Sequence, residues 1–207
     1  RKESSAASDV YKRQPYNGER RAGTVGLPLP GVELKITDPE TGRELSNNEI
    51  GQIEVRGPNV FKGYWRMPEK TKAELRENGF FITGDLGKID RDGYIHILGR
   101  DKDLIISGGF NIYPKELEEI IDDQEGVLES AVIGVSHSDF GETPIAIIVQ
   151  EAEKAPSIEV IDRNLRKSLA RYKHPRRMII VDKLPRNAMG KVQKNILRSY
   201  YKDLFLN

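Results

Sequence analysis

The chain has 207 residues, 37% hydrophobic and 31% charged, and a net charge of +1; at roughly 150 residues per domain that is one large or two small domains with a real core. No apolar run approaches the ~18 residues of a membrane span, and no apolar leader follows a basic start, so neither a membrane protein nor a secreted precursor is expected and a cytoplasmic setting fits. The absence of cysteine excludes disulfide scaffolds, thiolate zinc sites and cysteine nucleophiles, and three histidines (His96, His137, His174) predict no histidine metal cluster.

The neutral total conceals segregation. Residues 101–162 hold 3 Lys/Arg against 15 Asp/Glu, a net −12, whereas residues 163–202 hold 13 against 1, a net +12. Such a split implies either opposed surfaces, the basic one facing an anionic ligand, or charges that pair internally.

The first fourteen residues, through Ser4–Gln14, have no apolar period and are expected to be a non-native or disordered tail. From Pro15 the pattern is mostly β. Val32–Thr37 alternates and stops at a turn built from Asp38, Pro39 and Gly42. Gln52–Arg56 alternates between two glycines, and Pro68–Glu77 reads as a helix opened by proline. Phe80–Thr83, Gly87–Asp90 and Tyr94–Leu98 read as strands, the last two joined by a hairpin over Asp90–Gly93.

Past Gly99 the period becomes mixed. Leu104–Ser107, Val127–Val135, Pro144–Glu151 and Arg177–Val181 read as strands; Pro114–Asp123, Ser157–Leu169 and Val192–Leu206 read as helices. These make an α+β unit of about 105 residues. The predicted boundaries are a tail over 1–14, a β-rich unit over 15–99, a joint at 100–102 and a second unit over 103–207.

Four islands carry candidate chemistry. In Phe80–Asp85 a strand ends in Thr-Gly-Asp, where Asp85 suits a two-point grip on a sugar diol, or a turn that satisfies nearby backbone N–H groups. Gly99–Asp103 is a charged joint. Ser107–Pro114 is a Gly-rich turn into a helix, where Gly108 and Gly109 either admit a ligand close to backbone or simply turn the chain. Pro185–Lys191 is a polar loop ending in Gly-Lys, whose ammonium could meet a phosphate or carboxylate or stay solvated. No Walker loop and no dinucleotide fingerprint occurs.

In this order and spacing the islands resemble the C-terminal part of the adenylate-forming superfamily of acyl- and aryl-CoA synthetases, luciferases and peptide-synthetase adenylation domains. Gly51–Gly57 (GQIEVRG) looks like that family's G-E-[LI]-x-[VI]-x-G strand, and Phe81–Asp85 like its Y-x-T-G-D element with Phe for Tyr. Gly99–Asp103 is similar to the hinge, and Pro185–Lys191 (PRNAMGK) to the P-R-[TN]-x-x-G-K signature. The wording is closest to the malonyl-CoA synthetases, through Gly57–Thr71, Gly109–Glu116 and Leu184–Asn195.

The resemblance implies the β-rich end of a large domain followed by a small, mobile α/β lid. It also implies a ligase that adenylates a carboxylate with ATP and Mg2+, then transfers the acyl group to CoA. Asp85 would hold the ribose hydroxyls, Arg100 would assist at ribose or phosphate, and Asn111 would reach the adenylate. Lys191 would bridge the acyl oxygen and α-phosphate, as the catalytic residue and a candidate substrate of a lysine acetyltransferase. Lys102 would be the pivot, Ser107, Gly108 and Gly109 would line a pantetheine tunnel, and Arg171, Lys173 and Arg176 could seat CoA phosphates. Asn187, Met189 and Phe81 depart from the commoner residues and are expected to touch no proposed contact. The phosphate loop, the magnesium motif and the acyl pocket of that family have no counterpart, so the chain is expected to be a fragment. The readings weighed against this one are an adenylation domain serving a carrier protein and a nucleic-acid-binding module using the basic stretch, in which aromatic interleaving is sparse.

Overall fold

A computed structural model describes residues 21–205 and the backbone of Lys12–Arg13. Contacts divide the chain into two units, Arg1–Asp101 and Lys102–Asn207. The expected tail lies outside the described residues except for a short strand, β1 (Lys12–Arg13), which pairs antiparallel with β2 (Leu27–Pro28).

The first unit is built on an antiparallel meander of β3 (Glu33–Thr37), β4 (Gly51–Arg56), β5 (Phe81–Ile89) and β6 (Ile95–Arg100). Alternation sets the register. Leu34 lies opposite Val55 and Ile36 opposite Ile53, so one face joins Ile95 in an apolar core. The other face sets Glu33 opposite Arg56 and Lys35 opposite Glu54. The helix α1 (Pro68–Glu74), shorter than predicted, lies in the connection between β4 and β5.

Glu54 is fully buried. It accepts hydrogen bonds from Arg76 Nε at 2.7 Å and Thr37 Oγ1 at 2.8 Å, with the Lys35 ammonium 3.5 Å away. Burial by itself pushes the carboxyl up, but the bonds and charges of these three neighbours outweigh it and hold Glu54 below the usual carboxylate range.

The strands predicted separately over Phe80–Thr83 and Gly87–Asp90 are one strand. Between the pairs Gln52–Leu86 and Glu54–Ile82, one residue of β4 (Ile53) lies opposite three of β5, so Thr83-Gly84-Asp85 is a bulge, with Gly84 at φ +72°. Asp85 therefore lies inside a strand and not past its end.

The second unit is a five-stranded sheet of β7 (Ile105–Ser107), β8 (Phe110–Ile112), β9 (Val127–His137), β10 (Gly141–Gln150) and β11 (Arg177–Val181). Strand β10 pairs antiparallel with β9 and parallel with β11. Helices α2 (Pro114–Asp122) and α3 (Ile158–Ser168) supply one core, with Leu117, Ile121, Ile161 and Leu165 against Val132, Ala146 and Ile148. The opposite face packs Ile133, Ile145 and Ile147 against Leu184 and against Leu197 of α4 (Lys194–Tyr201), a helix shorter than predicted. The unbroken apolar run of Ile145–Val149 follows from burial on both faces. No helix among the described residues is long and apolar enough to cross a membrane.

The Glu54 cluster yields a signed prediction. A carboxyl depressed in the folded state stabilises above its unfolded pKa of about 4.3, and that stability is lost as pH falls through the lower folded value. Arg76→Ala should cost roughly 3 kcal/mol at neutral pH, the low end for breaking a buried pair because Arg76 is a third exposed. Urea unfolding of the chain and the variant should show that gap narrowing as the pH falls below about 4.3 and Glu54 takes up its proton; a gap constant with pH would contradict the assignment.

Candidate functional site

In the first unit, the bulge sets Asp85 directly opposite Arg100 on the neighbouring strand, with Oδ1 and Nε 3.4 Å apart. Asp85 is largely covered and Arg100 half exposed. The Thr83 hydroxyl donates to the Ile53 carbonyl and accepts from the Asp85 N–H, pinning the bulge to β4. Two candidates drawn from separate islands thus form one carboxylate–guanidinium pair. A ribose diol can donate to such a carboxylate while the guanidinium faces an anion.

The joint is less free than its composition suggests. Asp101–Asp103 forms a single 3₁₀ turn. Within the second unit, Arg198 of α4 donates to Asp103 Oδ1 at 2.6 Å and to the Lys102 carbonyl at 3.3 Å, so one flank of the expected pivot is tethered.

Gly108 and Gly109 form a two-residue hairpin turn between β7 and β8, and both have positive φ (+56° and +82°), which is the conformation such tight turns require. The two glycines do turn the chain, and β8 is a strand that local spacing did not reveal. Asn111 lies exposed on β8 and hydrogen-bonds Tyr113, whose hydroxyl is pushed up chiefly by burial.

Beside this hairpin is a cavity of about 830 Å³. Ser107 and Gly108 line it together with Arg171, Arg176, Phe110 and Phe140, whereas Gly109 and Lys173 do not. Phe110 stacks on Tyr172 with ring centres 4.6 Å apart, and the Arg176 guanidinium lies 4.6 Å over the Phe140 ring. Lys173 is instead engaged by Glu116 of α2 at 2.5 Å.

That pair is one of several across the charge divide. Arg166, Lys173, Arg186, Lys194 and Arg198 pair with Asp162, Glu116, Glu129, Glu118 and Asp103 respectively. Part of the basic stretch is therefore matched by the acidic one. Among the described residues, Arg171, Arg176 and Lys191 have no carboxylate within ion-pair distance.

Lys191 ends a closed loop. Arg186 bridges to Val192, and the Gln193 N–H donates to the Pro185 carbonyl at 2.8 Å. Asn187 Oδ1 accepts from the N–H groups of Met189 (3.0 Å) and Lys191 (2.9 Å), a side-chain-built turn. Asn187, expected to touch no proposed contact, shapes the turn that carries Lys191. Local spacing could have suggested this. Glu129, which binds Arg186 from 57 residues away, carried no local signal.

Among the described residues no three His, Asp or Glu side chains converge as metal ligands. These residues do not fit a Mg2+ site of their own, and no step below is routed through the ion.

Comparison with known proteins follows this geometry. The AMP-binding enzyme C-terminal domain model matches residues 116–191, and the AMP-binding enzyme model matches residues 3–65, beginning inside the expected tail. The crystal structure of ATP-bound MatB from Rhodopseudomonas palustris superposes with a TM-score of 0.88 at 59% identity, covering 94% of this chain and 39% of that one. The malonate–CoA ligase of Arabidopsis thaliana is 42% identical over 195 residues, 89% of this chain and 31% of the relative. The 2-succinylbenzoate–CoA ligase of Geobacillus kaustophilus is 39% identical over 192 residues, 93% and 39% respectively. The chain thus spans 31–39% of the length of these relatives. With the Asp85–Arg100 pair, the Gly-Gly hairpin and the lysine loop in the family's order, the chain belongs to the adenylate-forming AMP-binding enzymes, the superfamily of the acyl-CoA ligases.

Proposed function

We propose that these 207 residues are part of an ATP-dependent, AMP-forming carboxylate–CoA ligase whose carboxylate is malonate. The observation that carries this reading is the lysine loop, a turn closed by its own hydrogen bonds that leaves one exposed, unmatched ammonium. In adenylation a carboxylate oxygen bonds to the α-phosphorus of ATP and the bond to pyrophosphate breaks. Two anions must approach, and a cation aimed where charge develops offsets their repulsion. Lys191 takes that role. Asp85 accepts from the ribose hydroxyls, and Arg100 faces the phosphate.

In the second step the CoA thiol, losing its proton, attacks the acyl carbon and AMP leaves. The cavity beside the hairpin suits CoA: Ser107 and Gly108 at its wall, with Gly109 next to them in the turn, offer a narrow approach for pantetheine, and Arg171 and Arg176 offer charge for phosphate. Lys102 is the pivot between the two steps, its turn anchored on one flank by Arg198. Asn111 is the weakest member of the set because its amide is engaged with Tyr113. The exposed Lys191 ammonium is also open to an acetyltransferase.

Malonate is supported by the wording of Gly57–Thr71 and Leu184–Asn195 and by the Arabidopsis malonate–CoA ligase. A long-chain-fatty-acid–CoA ligase of Bacillus subtilis, 40% identical over 193 residues, makes the substrate the part to test. In the full-length enzyme containing this chain, pyrophosphate release should be at least tenfold faster with malonate than with 2-succinylbenzoate or a long-chain fatty acid. A faster rate with either of these removes malonate and leaves the ligase.

Two variants test the roles. Lys191→Ala should slow acyl-adenylate formation about 10²–10³-fold while CoA-dependent consumption of supplied acyl-adenylate persists; equal loss of both half-reactions would contradict the assignment. Arg176→Ala should raise the KM for CoA about tenfold and leave that for ATP unchanged, as expected for one charge-assisted contact to phosphate. The 207-residue chain alone should release no pyrophosphate from malonate, ATP and CoA.

A further inference from the structure

The peptide unit that carries Lys191 is held at both ends by side chains. Its carbonyl, that of Gly190, accepts a hydrogen bond from the Arg186 guanidinium. Its N–H donates to Asn187 Oδ1 at 2.9 Å. The carbonyl of Lys191 itself accepts from the Asn187 N–H at 3.0 Å. A bare Gly-Lys turn would sample many orientations, since Gly190 has a positive φ of +77° and nothing within 4 Å of where a Cβ would stand. Here three bonds select one.

The mount is itself anchored. Arg186 donates from its other terminal nitrogen to Glu129 of β9, so the loop is tied to a strand of the central sheet. Glu129 is mostly covered, with 21% of its side chain exposed. The same contact neutralises Arg186. Among the described residues, the uncompensated cation of the loop is therefore Lys191, and a neighbouring guanidinium does not compete with it for an incoming anion. Fixed backbone with a free ammonium is the division that transition-state stabilisation favours, because reorganisation is completed before the reacting anions arrive.

We propose that Arg186, Asn187 and Glu129 are positioning residues for Lys191: a side-chain clamp on the Gly190–Lys191 peptide, anchored to the sheet through Glu129. The step it serves rests on the ligase reading; the clamp does not.

The test therefore has two arms. In the 207-residue chain, amide hydrogen exchange at Met189 and Lys191 should quicken about tenfold in Asn187→Ala, with Asn187→Asp, which keeps the accepting oxygen, restoring protection. In the full-length enzyme, Arg186→Ala and Asn187→Ala should slow acyl-adenylate formation by about 10²-fold through kcat, with the KM for ATP unchanged. CoA-dependent consumption of supplied acyl-adenylate should fall at least tenfold less. Glu129→Gln, which keeps an accepting oxygen but loses the charge, should give an intermediate effect. Exchange that is unchanged in Asn187→Ala, or equal loss of both half-reactions with a lowered melting temperature, overturns the proposal. A full-length enzyme that forms no acyl-adenylate overturns the ligase reading, and the exchange arm then decides the clamp alone.

Discussion

Burial of the central strand pair on both faces is the constraint on which the second unit depends. Along β10, Ala146 and Ile148 face α2 and α3, while Ile145 and Ile147 face α4 and Leu184. Each fully buried isoleucine contributes about 1.5–3 kcal/mol, whereas a half-exposed ion pair contributes about 0–1 kcal/mol. The sheet core thus stabilises the unit, and the charged pairs around it chiefly choose orientation. Arg186, Lys194 and Arg198 pair with Glu129, Glu118 and Asp103, at the lysine loop, at α2 and beside the joint respectively. Positions that matter for chemistry are held by contacts too weak to determine the fold.

The first unit solves a related problem differently. Its meander has one apolar face, and the other carries charges that would ordinarily be solvated. Glu54 is nonetheless fully buried, and it is tolerated because Arg76, Thr37 and Lys35 converge on it. The same sheet carries the bulge at Thr83–Asp85, which breaks the strand's alternation and sets Asp85 against Arg100. A regular strand there would have kept the side chains on their alternating faces and lost the pairing of carboxylate and guanidinium.

The charge segregation acquires a physical meaning in this light. A net −12 followed by a net +12 resolves in part into partners distant in sequence and adjacent in space. Among the cations left without a carboxylate, Arg171 and Arg176 lie at the cavity beside the Gly-Gly hairpin and Lys191 lies on its loop.

Local pattern determined a great deal. Alternation in Val32–Thr37 and Gln52–Arg56, the apolar spacing of Pro114–Asp123 and Ser157–Leu169, and the hairpin at Asp90–Gly93 all arise from neighbours in the chain, so they were legible as elements. The motif order from Phe81–Asp85 to Pro185–Lys191 was legible as a family resemblance. Only the tertiary structure decided that Thr83–Asp85 is a bulge within one strand, since that depends on how many residues of β4 lie opposite. Only it decided that Lys173 belongs to Glu116 while Arg176 belongs to the cavity, and that Asn187 and Glu129 stand behind Lys191. Those outcomes depend on which side chains arrive at the same point from tens of residues apart, and hydrogen bonds and ion pairs act over distances that sequence spacing does not record.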